Sequence, residues 1–122
     1  NYLLYSNEEI SLAKWISENT EKNAVFLSDA RHNNALTLAG RSNYLGYAGW
    51  LWTHGIVWQP REAQVKAMLE GRENAVSLIK ENNLSYALVQ KNFWSQKIDY
   101  EFFEKSFAKV RETQNYLVYK LK

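Results

Sequence analysis

The chain has no cysteine, which excludes disulfides, thiol catalysis and zinc-thiolate sites. Histidine is nearly as scarce. His32 and His54 are the two present, and twenty-two positions apart they match no metal spacing such as HExxH. Neither a metal nor a cofactor is therefore expected. No apolar run approaches the roughly 18 residues of a membrane span, and no charged-then-apolar leader opens the sequence. Charge of one sign is also in short supply: the formal net charge is +2, with Lys and Arg spread along the chain and no basic tract, which argues against nucleic acid as a partner. Methionine occurs only at Met68 and the sequence opens on Asn1, so the expectation is a segment excised from a longer protein.

What is present is globular in kind. Hydrophobic residues make up 46% and charged residues 23%, close to the average for folded domains. A length of 122 residues suits one domain; two would each be too small to bury a core. Aromatic residues, at 15%, are the one excess.

Local patterning predicts a compact three-layer α/β domain with a small, mostly parallel sheet flanked by helices and an antiparallel C-terminal strand or hairpin. Ser6 three residues before Glu9 is a capping-box start, and Ile10, Ala13 and Ile16 follow at helical spacing, so the first helix spans about 7–19. Ala24 to Leu27 reads as a strand buried on both faces. Ala35, Leu36, Leu38 and Ala39 before Gly40 form a short glycine-capped helix. The stretch from Ser42 to Tyr47 reads as a second short strand. Pro60 opens a helix over about 60–70, because its missing amide proton would go unpaired in a first turn anyway. Past Gly71, residues Ala75, Val76 and Ile79 mark another helix, and Tyr86 to Val89 repeat the buried-strand pattern. A short helix from Asp99 to Phe107 precedes strands at 108–112 and 116–121.

Ligands of parallel sheets sit at the carboxyl ends of the strands, and three segments compete for that edge: "SDARHN", "GYAGWLWTHG" and "QKNFW". Asp29, Arg31 and His32 in the first, with His54 and Arg61 near the second, are candidates to converge on an anionic or hydroxyl-rich ligand, Arg offering a planar fork of donors. Asp29 fits equally well as a helix cap, and Arg31 as a surface ion pair. A Ser28, Asp29, His32 triad is ruled out by crowding in sequence and by the absence of a GxSxG elbow. The glycines between Gly40 and Gly55 spell neither GxGxxG nor GxxxxGK[ST], so a nucleotide site is disfavoured. In that stretch Tyr44, Tyr47, Trp50 and Trp52, with Trp58 beyond, have three uses left open: filling the core, facing an interface, or stacking on a sugar ring. Asn83-Leu84-Ser85 matches a glycosylation sequon.

The line "NAVFLSDARHNNALTLAGRSNYLGYAGWLWTHGI", followed by "REAQVKAMLEG" and "LIKENNLSYALVQ", resembles the C-terminal extracytoplasmic part of polytopic membrane glycosyltransferase-like proteins of the lipid-linked-sugar type and their uncharacterised relatives. Trp15-Ile16, His32-Asn33, Gly40-Arg41, Tyr44 to Trp50, His54-Gly55, Arg61 and Tyr86 carry the likeness. It implies a soluble extracytoplasmic domain lying on a membrane-embedded part of the same chain, which would hold the catalytic residue. No catalytic residue falls in this segment. The resemblance adds Arg41 and Tyr47 to the ligand or interface candidates and makes a sugar or lipid-linked sugar the implied partner. The alternative is a free-standing α/β ligand-binding module or small enzyme acting on a polar ligand.

Overall fold

The computed structural model describes residues 6–28, 34–44, 59–91 and 97–122. Helix α1 (Asn7–Asn19) begins at the capping box: the Glu9 amide donates to Ser6 Oγ at 3.1 Å and the Ser6 amide to Glu9 Oε1 at 3.0 Å. Two of the amide donors left unpaired at a helix start are thereby satisfied. Leu12, Ala13 and Ile16 form its buried face. The helix stops at Thr20, whose backbone is extended and whose hydroxyl donates back to the Ile16 carbonyl at 2.7 Å. Strand β1 (Val25–Leu27) follows, then α2 (Asn34–Ala39). Gly40, at φ +70°, ends α2 in the left-handed conformation that glycine adopts without steric cost. The Arg41 amide there donates to the Leu36 carbonyl at 3.0 Å.

Strand β2 (Ser42–Asn43) is followed by α3 (Gln59–Leu69), with Pro60 in its first turn as expected. Gly71, at φ +63°, terminates α3, and α4 (Ala75–Glu81) runs on to the central strand β3 (Tyr86–Gln90). Helix α5 (Tyr100–Ser106) is capped by Asp99, whose Oδ1 accepts from the Phe102 amide at 3.1 Å. The hairpin β4 (Ala108–Glu112) and β5 (Tyr116–Lys120) closes the fold.

The five strands lie in the order β2-β1-β3-β5-β4. β1 pairs with β2 and with β3 in parallel, whereas β5 runs antiparallel to both β3 and β4. Four strands therefore point one way and β5 alone is reversed, a mostly parallel α/β sheet. Strand alternation divides the core into two layers. Leu27, Ala87, Val89, Leu117 and Tyr119 face one side, where α3, α4 and α5 pack through Met68, Leu69, Ile79 and Phe103. Phe26, Tyr86, Leu88 and Val118 face the other, covered by Leu12 and Ile16 of α1 and Ala35 and Leu36 of α2. Burial on both faces is what an apolar run such as Tyr86 to Val89 requires.

The second strand is shorter among the described residues than Ser42 to Tyr47 implied, ending at Asn43. Tyr44 then turns into the core, only 9% exposed, with its hydroxyl 2.5 Å from Gln64 Oε1 and 2.9 Å from Asn82 Oδ1.

Candidate functional site

β1 and β3 are parallel neighbours, and the helices that follow them cover opposite faces: α2 packs with Phe26 and Leu88, α5 with Ala87 and Val89. Connections that diverge to opposite faces from adjacent parallel strands make a topological switch point. It lies here between the ends of β1 and β3, at Leu27-Ser28 and Gln90-Lys91. Ser28 there is fully buried.

Beside it, on the face covered by α5, opens a cavity of about 320 Å³ whose floor is Tyr100, Leu117 and Tyr119. Its rim is charged. Lys91 Nζ lies 2.5 Å from Glu112 Oε2, and Lys109 Nζ lies 3.0 Å from Glu112 Oε1 and 3.5 Å from Glu104 Oε2. The buried Tyr119 hydroxyl donates to Glu104 Oε2 at 2.5 Å. The Tyr100 hydroxyl donates to the Gln90 carbonyl at 2.6 Å, tying α5 to the end of β3. Two ammonium groups and two carboxylates thus close a neutral chain around an aromatic floor.

The electrostatics hold this chain in its charged form. The Tyr119 hydroxyl bond holds the Glu104 carboxyl below the ordinary carboxylate value; partial burial opposes it and Lys109 assists. Hydrogen bonds from Lys91 and then Lys109 lower Glu112. Lys109 is raised, chiefly by its bond to Glu112. Burial, reinforced by the Glu104 carboxylate, raises the Tyr119 phenol. These shifts all lead away from neutrality, so no group in this chain matches the near-neutral pKa that suits a general acid or base. What the rim can do is exchange hydrogen bonds. Its four charged side chains are between about a quarter and a half exposed, and ion pairs that accessible contribute little to stability. A polar ligand replaces them at small cost.

The sequence candidates divide into three groups. Asp29, Arg31, His32, Tyr47, Trp50, Trp52 and His54 lie outside the described residues, as does Trp58. Arg61 falls in α3, with its side chain outside the described atoms. Arg41 is described, and it stands away from the switch point: it immediately precedes β2, at the amino edge of the sheet. Its guanidinium donates to Thr20 Oγ1 at 3.0 Å and to the carbonyls of Ala39, Ser17 and Thr20 at 2.9, 3.2 and 3.0 Å. These carbonyls close α1 and α2, so the Arg41 guanidinium ties two helix ends together.

The charged cavity itself was not anticipated residue by residue. Lys91 lies in the "QKNFW" segment assigned to that edge, but Glu104, Lys109 and Glu112 belong to no motif and fall in a helix and a strand expected only as elements of the fold. Among the described residues no group of three or more His, Asp or Glu could hold a metal ion, and no helix is long and apolar enough to cross a membrane. No protein-family model matches the chain, and no curated protein matches it either.

Proposed function

We propose that this chain is a recognition domain, not catalytic by itself, in a larger multi-span membrane protein resembling glycosyltransferases, where it lies on the extracytoplasmic side and presents the carboxyl edge of its sheet to a hydroxyl-rich ligand or to the membrane-embedded part. The observation that carries the recognition role is the switch point between β1 and β3 with the charged, aromatic-floored cavity beside it. Sugar hydroxyls both donate and accept, and the rim offers both partners within one cavity, beside the part-buried ring of Tyr100, on which an apolar sugar face can rest. The lowered carboxylates and raised lysine favour binding over proton transfer. The membrane setting rests on the sequence resemblance of residues 10 to 90.

The test uses the complete gene product. It is expected to sediment with membranes, with the region 1–122 open to protease only from the extracytoplasmic side. A product that stays in the supernatant overturns the membrane setting. For recognition, sugars and sugar phosphates titrated into the labelled protein are expected to shift the amides of Lys91, Glu104 and Glu112 in a saturable way; silence at all three overturns it.

A further inference from the structure

At the opposite, amino edge of the sheet a second and smaller cavity, of about 230 Å³, opens between the starts of β1 and β3. It owes nothing to the switch point, and its reading stands or falls separately from the one above. Its lining includes Glu21, Asn83, Ser85, Tyr86, Lys120 and Lys122. The volume is below the roughly 300–1,000 Å³ of drug-sized sites, which restricts an occupant to a handful of heavy atoms.

The register of the sheet arranges the charges. Tyr86 and Lys120 are directly paired across β3 and β5, so their side chains share a face as immediate neighbours. The Tyr86 ring stacks on Phe26 with centroids 5.2 Å apart, and its hydroxyl donates to Glu21 Oε2 at 3.2 Å. That contact holds the Glu21 carboxylate in the same lining as Lys120 and Lys122. Lys122 Nζ is held by Asn83 Oδ1 at 2.7 Å. The Lys120 ammonium has no hydrogen-bonding partner among the described residues, although its charge helps to lower the Glu21 carboxyl, after that group's own backbone hydrogen bond and the Tyr86 hydroxyl.

Ser85 supplies the second, independent pointer. It is 8% exposed, and its Oγ accepts the Val25 amide at 3.4 Å. The hydroxyl's own proton meets no acceptor among the described residues. A buried hydroxyl normally finds one, and the cavity is where an acceptor has room. The lining therefore offers a negatively charged oxygen two donors, the Ser85 hydroxyl and the Lys120 ammonium, and offers a cationic donor the Glu21 carboxylate. We infer that this cavity binds a small zwitterion of the α-amino-acid type, its carboxylate on Lys120 and Ser85 and its ammonium on Glu21.

The test is a titration of the 15N-labelled protein with L-alanine, set beside acetate and methylammonium as the two halves of the ligand. L-alanine is expected to shift the amides of Glu21, Ser85, Tyr86 and Lys120 saturably, with affinity about tenfold or more above either half. Lys120→Ala and Glu21→Gln, both at accessible positions, are each expected to weaken it about tenfold while leaving the rest of the spectrum in place. The inference is overturned if L-alanine gives no saturable shift. It is equally overturned if acetate binds as well as L-alanine and Glu21→Gln changes nothing, since the cavity would then read an anion alone.

Discussion

Replacing Arg41 with alanine separates a structural role from a ligand role at a sequence-derived site residue whose side chain is described. Arg41 gives four hydrogen bonds, three of them to carbonyls at the ends of α1 and α2 and one to the Thr20 hydroxyl. Bonds from a charged donor contribute about 1.5–3 kcal/mol each when buried. These are part-buried or exposed, so water replaces the donor at most of the acceptors and each loss falls toward ~0.5–1 kcal/mol. A cation at a helix C-terminus adds about 0.3–1 kcal/mol that also disappears. Added independently these terms reach about 2–5 kcal/mol; because all of them belong to one side chain they are not additive, and about 2–3 kcal/mol is expected for Arg41→Ala.

Urea unfolding followed by circular dichroism reads this directly. With a slope of about 1–3 kcal/mol per molar for a small domain, the midpoint is expected to fall by roughly 1–2 M with little change in slope. Arg41→Lys is expected to recover less than half of the loss, because a single ammonium cannot reach donors spread over Ser17, Thr20 and Ala39 as a planar fork does. A loss below about 0.5 kcal/mol for Arg41→Ala would refute the account of Arg41 as the tie between the two helix ends. It would return the residue to the list of ligand contacts.

The two described left-handed glycines are expected to respond differently to alanine. At Gly40, φ +70°, a new Cβ meets nothing within 4 Å, so Gly40→Ala costs only the backbone term of about 1–2 kcal/mol. At Gly71, φ +63°, the same Cβ falls 2.8 Å from Phe102 Cβ and Cγ, and thermal denaturation of Gly71→Ala should show about twice that loss or more. Burial raises Glu8, but hydrogen bonds from Thr113 and Asn115 outweigh it and leave the carboxyl below the ordinary glutamate value. A lowered carboxylate stabilises the fold above its unfolded pKa and loses that contribution as pH falls through the folded one; the stability gap between wild type and Glu8→Gln, measured by urea titration, is therefore expected to be full at neutral pH and to close as pH falls through the lowered folded pKa. Tyr119→Phe removes the hydroxyl bond to Glu104 and is expected to cost about 1 kcal/mol. Carbon-13 titration should then show the Glu104 carboxyl moving upward, and an unchanged Glu104 would contradict its dependence on Tyr119.

Elements whose signals are local were legible in the sequence. The capping box at Ser6 and Glu9 set α1 at its observed bounds, because both of its hydrogen bonds close within three residues. Gly40 and Gly71 marked two helix ends, since an L side chain resists the positive φ each turn needs. The continuous apolar runs of β1 and β3 placed those strands in the middle of the sheet, where helices cover both faces. The hydrogen bonds of Arg41 were not legible for the converse reason. Its acceptors Ser17 and Thr20 lie 24 and 21 positions away, and nothing near Gly40 in sequence announces that α1 ends beside it.

The charged cavity escaped the sequence for a more specific reason. Strict alternation over Ala108 to Glu112 puts Lys109 and Arg111 on one face and Glu112 on the other. The register instead shifts between Lys109 and Arg111, with Lys109 opposite Tyr119, Arg111 opposite Val118 and Glu112 opposite Leu117. That extra residue sends Arg111 to the α1 face, where its guanidinium lies 5.9 Å from the Trp15 ring centroid. Lys109 and Glu112 stay together on the face of Tyr119 and Leu117, and there they meet Glu104 and Lys91. Edge strands carry charges and bulges to discourage pairing with other chains, and all five residues of β4 are exposed as such an edge would be. Here the same irregularity also decides which charges share a face. A reading by period alone sees only edge protection, because the cavity depends on where alternation breaks.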